Sequence, residues 1–149
     1  MDTTTLSTAV LRAIFSADHF AAHTGIEIVD SGDGWARTRL ALQPHHLNGL
    51  GTVQGGAVFT LADLAFAVAA NSHAVKVIGL NASINWVRTA RGGALTAEAR
   101  EASRSRRIAT YQVSVSDDTG RLVATFHGTG YCLDEPWQTP AAAAEASPV

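Results

Sequence analysis

The sequence is poor in the features that mark secreted or membrane proteins. It has one cysteine, Cys132, which excludes an intrachain disulfide. Its first residues, MDTTTLSTAV, lack the basic start and apolar core of a secretory signal, so we expect a cytoplasmic protein. The longest apolar run, 57–70, is interrupted by Thr60 and Asp63 and is shorter than the roughly 20 residues that cross a bilayer. We therefore expect no membrane span and no membrane partner.

Charge is also scarce. Eleven Lys and Arg stand against thirteen Asp and Glu, which gives a formal net charge of −2. This balance provides no general attraction for polyanions, so we expect no nucleic-acid partner, and any anionic ligand must be bound by a local group. With 46% hydrophobic residues in 149, the chain is long enough to form a single domain with its own core.

Two helices are predicted from the apolar spacing. The first covers about residues 5–23, where apolar residues recur at helical intervals, and it ends before Gly25. The second follows the glycine-rich loop QPHHLNGLGTVQGG and is apolar on all sides apart from Thr60 and Asp63. Such a helix must be covered all round by the rest of the domain.

The remaining segments predict an antiparallel sheet. They are rich in Val, Ile, Thr and Ala and alternate with short turns such as SGDG, RGG and DDTG. The predicted strands are 26–30, 35–42, 75–88, 94–102, 107–116 and 121–133. Strands joined by short turns pair antiparallel, and a sheet curled around the apolar helix buries both. We therefore predict one α+β domain over 1–133 and a disordered tail over 134–149, a segment with little to bury.

Asp63 is the acidic residue within the apolar helix. It shares a stripe of small or polar residues with Thr60, Ala67 and Ala70, at spacings of three and four. An ionised carboxylate buried without partners costs several kcal/mol, so Asp63 needs partners or a cleft. One interpretation is a carboxylate satisfied by a neighbouring strand or exposed at a subunit boundary. The other is a general base or nucleophile in a dry cleft.

Gly55 and Gly56 stand where this helix begins. Their N–H groups lack intrahelical partners and lie at the positive end of the helix dipole, so the pair either turns the chain tightly or forms an oxyanion site. Gly55 and Asp63 are eight residues apart, about 12 Å along one helix, which is too far for both to act on one carbonyl. If they cooperate, they come from two subunits. We therefore expect a homodimer, or a dimer of dimers.

The stretch HLNGLGTVQGGAVFTLADLAFAVAANS resembles the motif of hotdog-fold acyl-CoA thioesterases, and most of all that of the PaaI (phenylacetate-degradation) group. The motif of that group is similar to H-x-N-x-x-G-x-x-H-G-G-x-x-F-x-L-A-D-x-A-F-A. The chain matches it at His46, Asn48, Gly51, Gly55, Gly56, Phe59, Leu61, Ala62, Asp63, Ala65, Phe66 and Ala67. The resemblance covers about residues 25–133 and implies a hotdog fold, in which an antiparallel sheet wraps around a long central helix, and an acyl-CoA substrate.

The resemblance also implies roles for individual residues. Asp63 would be the catalytic carboxylate, the Gly55 N–H would polarise the thioester carbonyl, and Asn48 would position the substrate or a water. The expected substrate-binding neighbours are Gln54, Gly56 and Thr60. Gln54 stands where the family usually has histidine, and it can donate and accept hydrogen bonds but cannot titrate.

Two chemical routes follow, and the sequence leaves both open. Asp63 either deprotonates a water for direct attack, or attacks the carbonyl itself and forms an anhydride that water opens. A non-catalytic acyl-CoA-binding protein and an enoyl-CoA hydratase are alternatives on the same fold. A hydratase would need a histidine near its aspartate, and Gln54 occupies that place.

Other patterns point to chemistry less strongly. His19 and His23 have the i, i+4 spacing of metal ligands, but no Glu or Cys stands nearby to complete a metal site. GLGTVQG has Gln54 where a dinucleotide-binding loop needs glycine, and no GxSxG motif offers a serine nucleophile. Cys132 is most simply a small core residue. We expect no metal and no cofactor.

A local basic cluster stands at a predicted turn between strands. Its members are Arg100, Arg104, Arg106 and Arg107. A solvated turn is one interpretation. The other is that Arg104 and Arg107, together with Arg88, line an access channel and bind the phosphates of coenzyme A, for which the planar head of arginine is suited.

Overall fold

The computed structural model describes residues 4–139. This part of the chain contains three α-helices, α1 (Thr8–Phe15), α2 (His19–Thr24) and α3 (Gly55–Asn71), and a short 3-10 turn at Pro44–His46. The strands are β1 (Ile26–Gly32), β2 (Trp35–Ala41), β3 (Val75–Trp86), β4 (Ala94–Arg104), β5 (Ile108–Asp117) and β6 (Leu122–Pro136). None of the helices within residues 4–139 has the length and apolar character needed to cross a membrane.

The strands form one antiparallel sheet in the order β1-β2-β4-β5-β6-β3. β2 pairs with β4, although α3 and β3 lie between them in the sequence, and β3 forms the far edge by pairing with β6. The helix α3 packs on one face of this sheet and buries most of its side chains there. The predicted α+β architecture, with a sheet around a long central helix, is confirmed.

Phe66 of α3 packs closely against the sheet. Its ring packs against Tyr111 and Phe126, with centroids 5.5 and 6.1 Å away. A Cβ added to Gly128 would lie 2.7 Å from this ring, closer than side-chain atoms approach one another. Glycine at this position therefore lets the helix lie close against the sheet.

The single N-terminal helix expected from the sequence is instead two helices. The Asp18 carboxylate accepts a hydrogen bond from the Ala21 N–H at 2.9 Å and caps the start of α2. The Ser16 N–H donates to the Arg12 carbonyl oxygen and makes the last hydrogen bond of α1. Such a side-chain cap competes with continued helical hydrogen bonding, so the chain breaks at 16–18 although the apolar spacing runs on.

The strand β6 runs further than the sequence predicts, to Pro136, which pairs with Val75. After it, the indole N–H of Trp137 donates to the Asn71 Oδ1 at 2.8 Å, and the Trp137 backbone N–H donates to the Ala74 carbonyl at 2.9 Å. Residues 134–137 are thus bound to the body of the domain. The composition of this segment does not reveal it, because the hydrogen-bond partners of Trp137 lie far away in the sequence. Residues 140–149 of the predicted tail lie outside the described residues.

Candidate active site

His46 connects the loop that precedes α3 to the end of α2. The ring is buried, its Nδ1 accepts a hydrogen bond from the Gln43 N–H at 2.9 Å, and its Nε2 lies 2.6 Å from the Thr24 carbonyl oxygen. Because a carbonyl only accepts, Nε2 carries the proton and the ring is neutral. The histidine of the motif therefore holds the loop in position.

Asn48 organises the same loop from within. Its Oδ1 accepts hydrogen bonds from the N–H groups of Leu50 and Thr52, at 2.9 and 3.2 Å, and from the Thr52 hydroxyl at 3.2 Å. Leu47 and Val53 form an isolated antiparallel bridge that closes the loop. The side-chain oxygen of Asn48 is thus bound within the loop, and the role of Asn48 toward substrate or water stays a prediction.

The two glycines at the start of α3 differ in their hydrogen bonding. The Gln54 side chain caps the helix and accepts a hydrogen bond from the Gly56 N–H. In contrast, none of residues 4–139 accepts a hydrogen bond from the Gly55 N–H. This N–H therefore lies at the positive end of a 17-residue helix with its hydrogen available to a ligand, which is the requirement for an oxyanion donor.

Trp86 of β3 covers the other side of Gly55. Its indole N–H donates to the Gly55 carbonyl at 3.2 Å, and a Cβ on Gly55 would lie 3.2 Å from the indole ring. Any larger residue at position 55 would press against this ring. Sequence reasoning missed Trp86 as a neighbour of the site, because 31 positions separate it from Gly55 and only the sheet brings them together.

Asp63 lies in a cleft of about 850 Å³ between α3, α2 and the loop before α3. The predicted residues Gln54, Gly56 and Thr60 line the same cleft. The Thr60 hydroxyl donates to the Gly56 carbonyl at 2.8 Å, so it is bound within its own helix. The structure therefore brings together four of the predicted site residues.

The Asp63 carboxylate has no hydrogen-bond donor among residues 4–139 and is partly buried. Burial raises its pKa, and the negative charge of Asp18 raises it further. Asp18 reaches this cleft because the chain breaks between α1 and α2, a break that the sequence does not reveal. An unpaired, partly desolvated carboxylate with a raised pKa is the state expected of a general base or a nucleophile.

Gly55 and Asp63 line different cavities of the same chain. Gly55 lines a small cavity of about 180 Å³ together with Trp86 and Arg88, whereas Asp63 lines the large cleft. The two positions are also about 12 Å apart along the helix. One chain therefore does not present both groups to a single carbonyl.

The arginines expected at one access channel lie in separate places. Arg88 is exposed beside Gly55, whereas Arg104 lies at the opposite end of α3, where its Nη1 is 3.5 Å from the Ala70 carbonyl. Arg107 donates to the Asp134 carboxylate at 2.7 Å. Within one chain, the expected grouping of these three arginines is therefore not formed.

Arg104 belongs to a partly buried polar cluster instead. The Glu101 carboxylate accepts hydrogen bonds from the Tyr111 hydroxyl at 2.5 Å and from the His73 ring at 2.8 Å, and Arg104 lies 3.5 Å from it. Although burial opposes it, these hydrogen bonds keep the pKa of Glu101 below its ordinary value. The cluster joins the end of α3 to β4 and β5, which is a structural role.

His19 and His23, which have the sequence spacing of metal ligands, do not face the same cavity. His23 lines the Asp63 cleft, whereas His19 does not. In the part of the chain from 4 to 139, no three His, Cys, Asp or Glu side chains are arranged to hold a metal ion.

Comparisons with known proteins relate this chain to one protein family. Residues 50–124 match the thioesterase superfamily. A putative esterase of Archaeoglobus fulgidus is 36% identical over 109 residues, 72% of this chain and 71% of that protein. The acyl-coenzyme A thioesterase PaaI of Escherichia coli K12 is 29% identical over 121 residues, 80% of this chain and 86% of its own.

Solved structures show the same relationship. The structure of the E. coli PaaI protein from the phenylacetic acid degradation operon superposes with a TM-score of 0.81 at 27% identity, and the superposition covers 86% of this chain and 94% of that one. The shared fold thus extends over most of both chains. The chain belongs to the thioesterase superfamily, as a hotdog-fold thioesterase of the PaaI type, and is therefore a thioester hydrolase.

Proposed function

We propose that the protein hydrolyses acyl-CoA thioesters carrying an aryl or medium-chain acyl group to the free acid and CoA. The observation that carries this proposal is that one helix presents two chemical groups. Gly55 offers an N–H without a hydrogen-bond acceptor among residues 4–139, and Asp63 offers a carboxylate without a donor among them. The E. coli relative is named an acyl-coenzyme A thioesterase, and its structure is described as coming from a phenylacetic acid degradation operon, which supports the substrate class.

In this proposal the thioester carbonyl oxygen accepts a hydrogen bond from the Gly55 N–H. As the carbonyl carbon becomes tetrahedral, negative charge grows on that oxygen and the hydrogen bond strengthens. Removal of one such donor costs about 10²- to 10³-fold in rate in other acyl-transfer enzymes. The indole of Trp86 holds the Gly55 residue from the other side, so the donor needs little reorganisation during the reaction.

Asp63 acts by one of two routes. As a base, it takes a proton from a water whose oxygen attacks the carbonyl carbon, the C–S bond breaks, and the proton passes to the departing thiolate. As a nucleophile, its oxygen attacks the carbonyl carbon, CoA leaves, and water opens the resulting anhydride. A single turnover in ¹⁸O-labelled water separates the routes, because the anhydride route can transfer the label to Asp63, whereas the base route transfers it only to the acid product.

We further propose that the active site is shared between two chains of a homodimer. The strand β3 is a free edge of the sheet, and its exposed apolar side chains include Ile78, Leu80 and Trp86, which are 51%, 57% and 55% exposed. A long exposed apolar edge is a site for pairing with another chain. Pairing along β3 about a two-fold axis supplies the Gly55 donor of one chain to the Asp63 of the other, and a dimer of dimers keeps this unit intact.

Mixing two inactive variants tests the shared site. Asp63→Asn removes the carboxylate, and Gly55→Leu blocks the oxyanion donor by pressing on Trp86. After random exchange of equal amounts, about half of the dimers are hybrids with one intact site each, so about a quarter of the wild-type activity is expected to return. If the subunits demonstrably exchange, both variants fold and no activity returns, the shared-site proposal is wrong.

The phosphates of CoA are the second recognition element in the proposal. Arg88 lies beside Gly55, whereas Arg104 and Arg107 are paired elsewhere in the same chain. Arg88→Gln is therefore expected to raise KM for CoA esters more than for pantetheine esters, which lack the nucleotide phosphates. The Arg104→Gln/Arg107→Gln double variant tests the other arginines in the same assay. Equal effects on both ester types would contradict phosphate contact for the residue concerned.

A further inference from the structure

A second cavity adjoins the Asp63 cleft and has no part in the proposed chemistry. It has a volume of about 430 Å³ and is lined by residues of α1, α2, β1 and α3. Asp18, Ala21 and Leu64 line both this second cavity and the Asp63 cleft. The two cavities therefore meet beside the six-residue helix α2, and this meeting point, where the buried Ala21 contributes to both linings, is called the passage below.

The lining of the second cavity is largely apolar. Phe15, Ile26 and Ile28 contribute to it, together with Ala21 and Leu64 at the passage. A cavity of a few hundred cubic ångströms with such a lining has the size and polarity of a small-ligand pocket. Among ligand groups, a hydrocarbon chain has the most favourable free energy of transfer from water into such a lining.

The two charged groups at the helical side of the cavity already have partners. The Arg12 guanidinium donates to the carbonyl oxygens of Ile28 at 3.0 Å and Val29 at 2.7 Å. The Asp18 carboxylate accepts from the Ala21 N–H. The third charged residue of the lining, Glu27, is exposed. An apolar ligand can therefore enter without leaving Arg12 or Asp18 unpaired.

We propose that the second cavity binds the distal part of a linear acyl chain and so makes long unbranched acyl thioesters better substrates than short or aryl ones. This inference rests on the proposed hydrolysis of acyl-CoA at Asp63. Leu64 follows Asp63 in α3 and lines both cavities. The acyl carbons next to a carbonyl at Asp63 therefore lie against Leu64, and a linear chain continues beneath Ala21, whereas an aryl group ends within the first cleft.

Filling the passage tests this subsite. Ala21→Leu places a larger side chain between the cavities, and Ile28→Trp fills the second cavity from strand β1 without a change in the sequence of α2. Each excluded methylene costs about fourfold in affinity, so exclusion of two or more is expected to lower kcat/KM for dodecanoyl-CoA by at least about tenfold. The kcat/KM for butanoyl-CoA and phenylacetyl-CoA should change less than about twofold. Ala13→Leu, the same change at an exposed position of α1, is the matched control and should alter neither.

Two outcomes would overturn the subsite. One is an equal loss of kcat/KM for short, aryl and long substrates in folded Ala21→Leu and Ile28→Trp. The other is an unchanged preference for dodecanoyl-CoA in both variants. Because Ile28→Trp leaves the sequence of α2 unchanged, misfolding of Ala21→Leu alone leaves the test in place.

A binding measurement separates this inference from the proposed hydrolysis. Isothermal titration calorimetry of the Asp63→Asn protein with dodecanoyl-CoA and with butanoyl-CoA gives the ratio of the two affinities. The variant is used because it should bind these esters without hydrolysing them. The subsite predicts a ratio of at least about ten in favour of dodecanoyl-CoA, which falls when Ala21→Leu is added. A ratio near one overturns the subsite. Absence of CoA release by the wild-type protein from any of these esters, with the ratio retained, overturns acyl-CoA hydrolysis and leaves the subsite standing.

Discussion

The indole N–H of Trp86 donates a hydrogen bond to the Gly55 carbonyl oxygen over 3.2 Å, so a residue of the edge strand β3 holds the first residue of α3 in place. Trp86→Phe keeps an aromatic ring and removes the donor. We expect kcat to fall about 3- to 10-fold with little change in KM, because one hydrogen bond of ordinary strength no longer positions Gly55.

Trp35→Phe is the matched control for this change. Trp35 lies on β2, with its ring 6.0 Å from the guanidinium carbons of Arg37 and Arg100, and is not in the lining of either cavity that holds Gly55 or Asp63. Its kinetics should match those of the wild type. The positioning role of Trp86 is excluded if both substitutions change kcat alike.

Asp63→Asn is expected to abolish most turnover and to stabilise the fold. Burial raises the pKa of Asp63, so the folded protein binds the carboxyl proton more tightly than the unfolded chain does. The ionised carboxylate therefore costs stability at neutral pH, and this cost disappears as the pH falls below the ordinary pKa. Calorimetry should show a Tm raised by a few degrees at about pH 8, with the difference narrowing toward about pH 4. A lower Tm at about pH 8, or a loss in kcat of less than about tenfold, would contradict this view of Asp63.

The acid limb of the pH–rate profile should follow the pKa of Asp63, which burial raises and the charge of Asp18 raises further. In the proposed mechanism Asp63 acts only when ionised, so kcat/KM should rise with pH through its raised pKa. Asp18→Asn removes the neighbouring negative charge and keeps a good helix cap, so the Asp63 pKa should fall and the acid limb should move to lower pH. Asp30→Asn makes the same charge change at an exposed position of β1 and should leave the profile unchanged. An acid limb that does not move in Asp18→Asn would show that this charge does not act on Asp63.

Gly128→Ala should destabilise the domain without touching the site. The added Cβ would lie 2.7 Å from the Phe66 ring, and overpacking of a core usually costs about 1–3 kcal/mol. Adding Phe66→Leu, a smaller side chain, should recover part of this loss in urea unfolding. Gly49→Ala is the control, since no atom lies within 4 Å of its added Cβ. Equal stability of Gly128→Ala and Gly49→Ala would refute the close approach.

The features that the sequence predicts are those decided by local spacing. The limits of α3 and the presence of six strands follow from apolar periodicity, and Asp63 stands out because an acid in an apolar helix conflicts with burial. The break at Asp18 was missed because the periodicity runs through it, and only the capping hydrogen bond reveals it. The contacts of Trp86 with Gly55 and of Trp137 with Asn71 depend on sheet pairing between distant segments, for which one sequence carries no local signal.

The position of β3 in the sheet also sets the order in which the chain can complete its fold during synthesis. β3 emerges from the ribosome directly after α3, but its only partner strand among residues 4–139 is β6, which comes last of the described elements. Before β6 is synthesised, the nascent chain carries the complete helix α3 and the strand β3, whose backbone N–H and C=O groups have no partner strand on either side. Such an unpaired strand is prone to aggregation. Chains truncated before β6 should therefore be recovered as insoluble material or bound to chaperones, and long-range closure of this kind makes folding slow for a domain of this size.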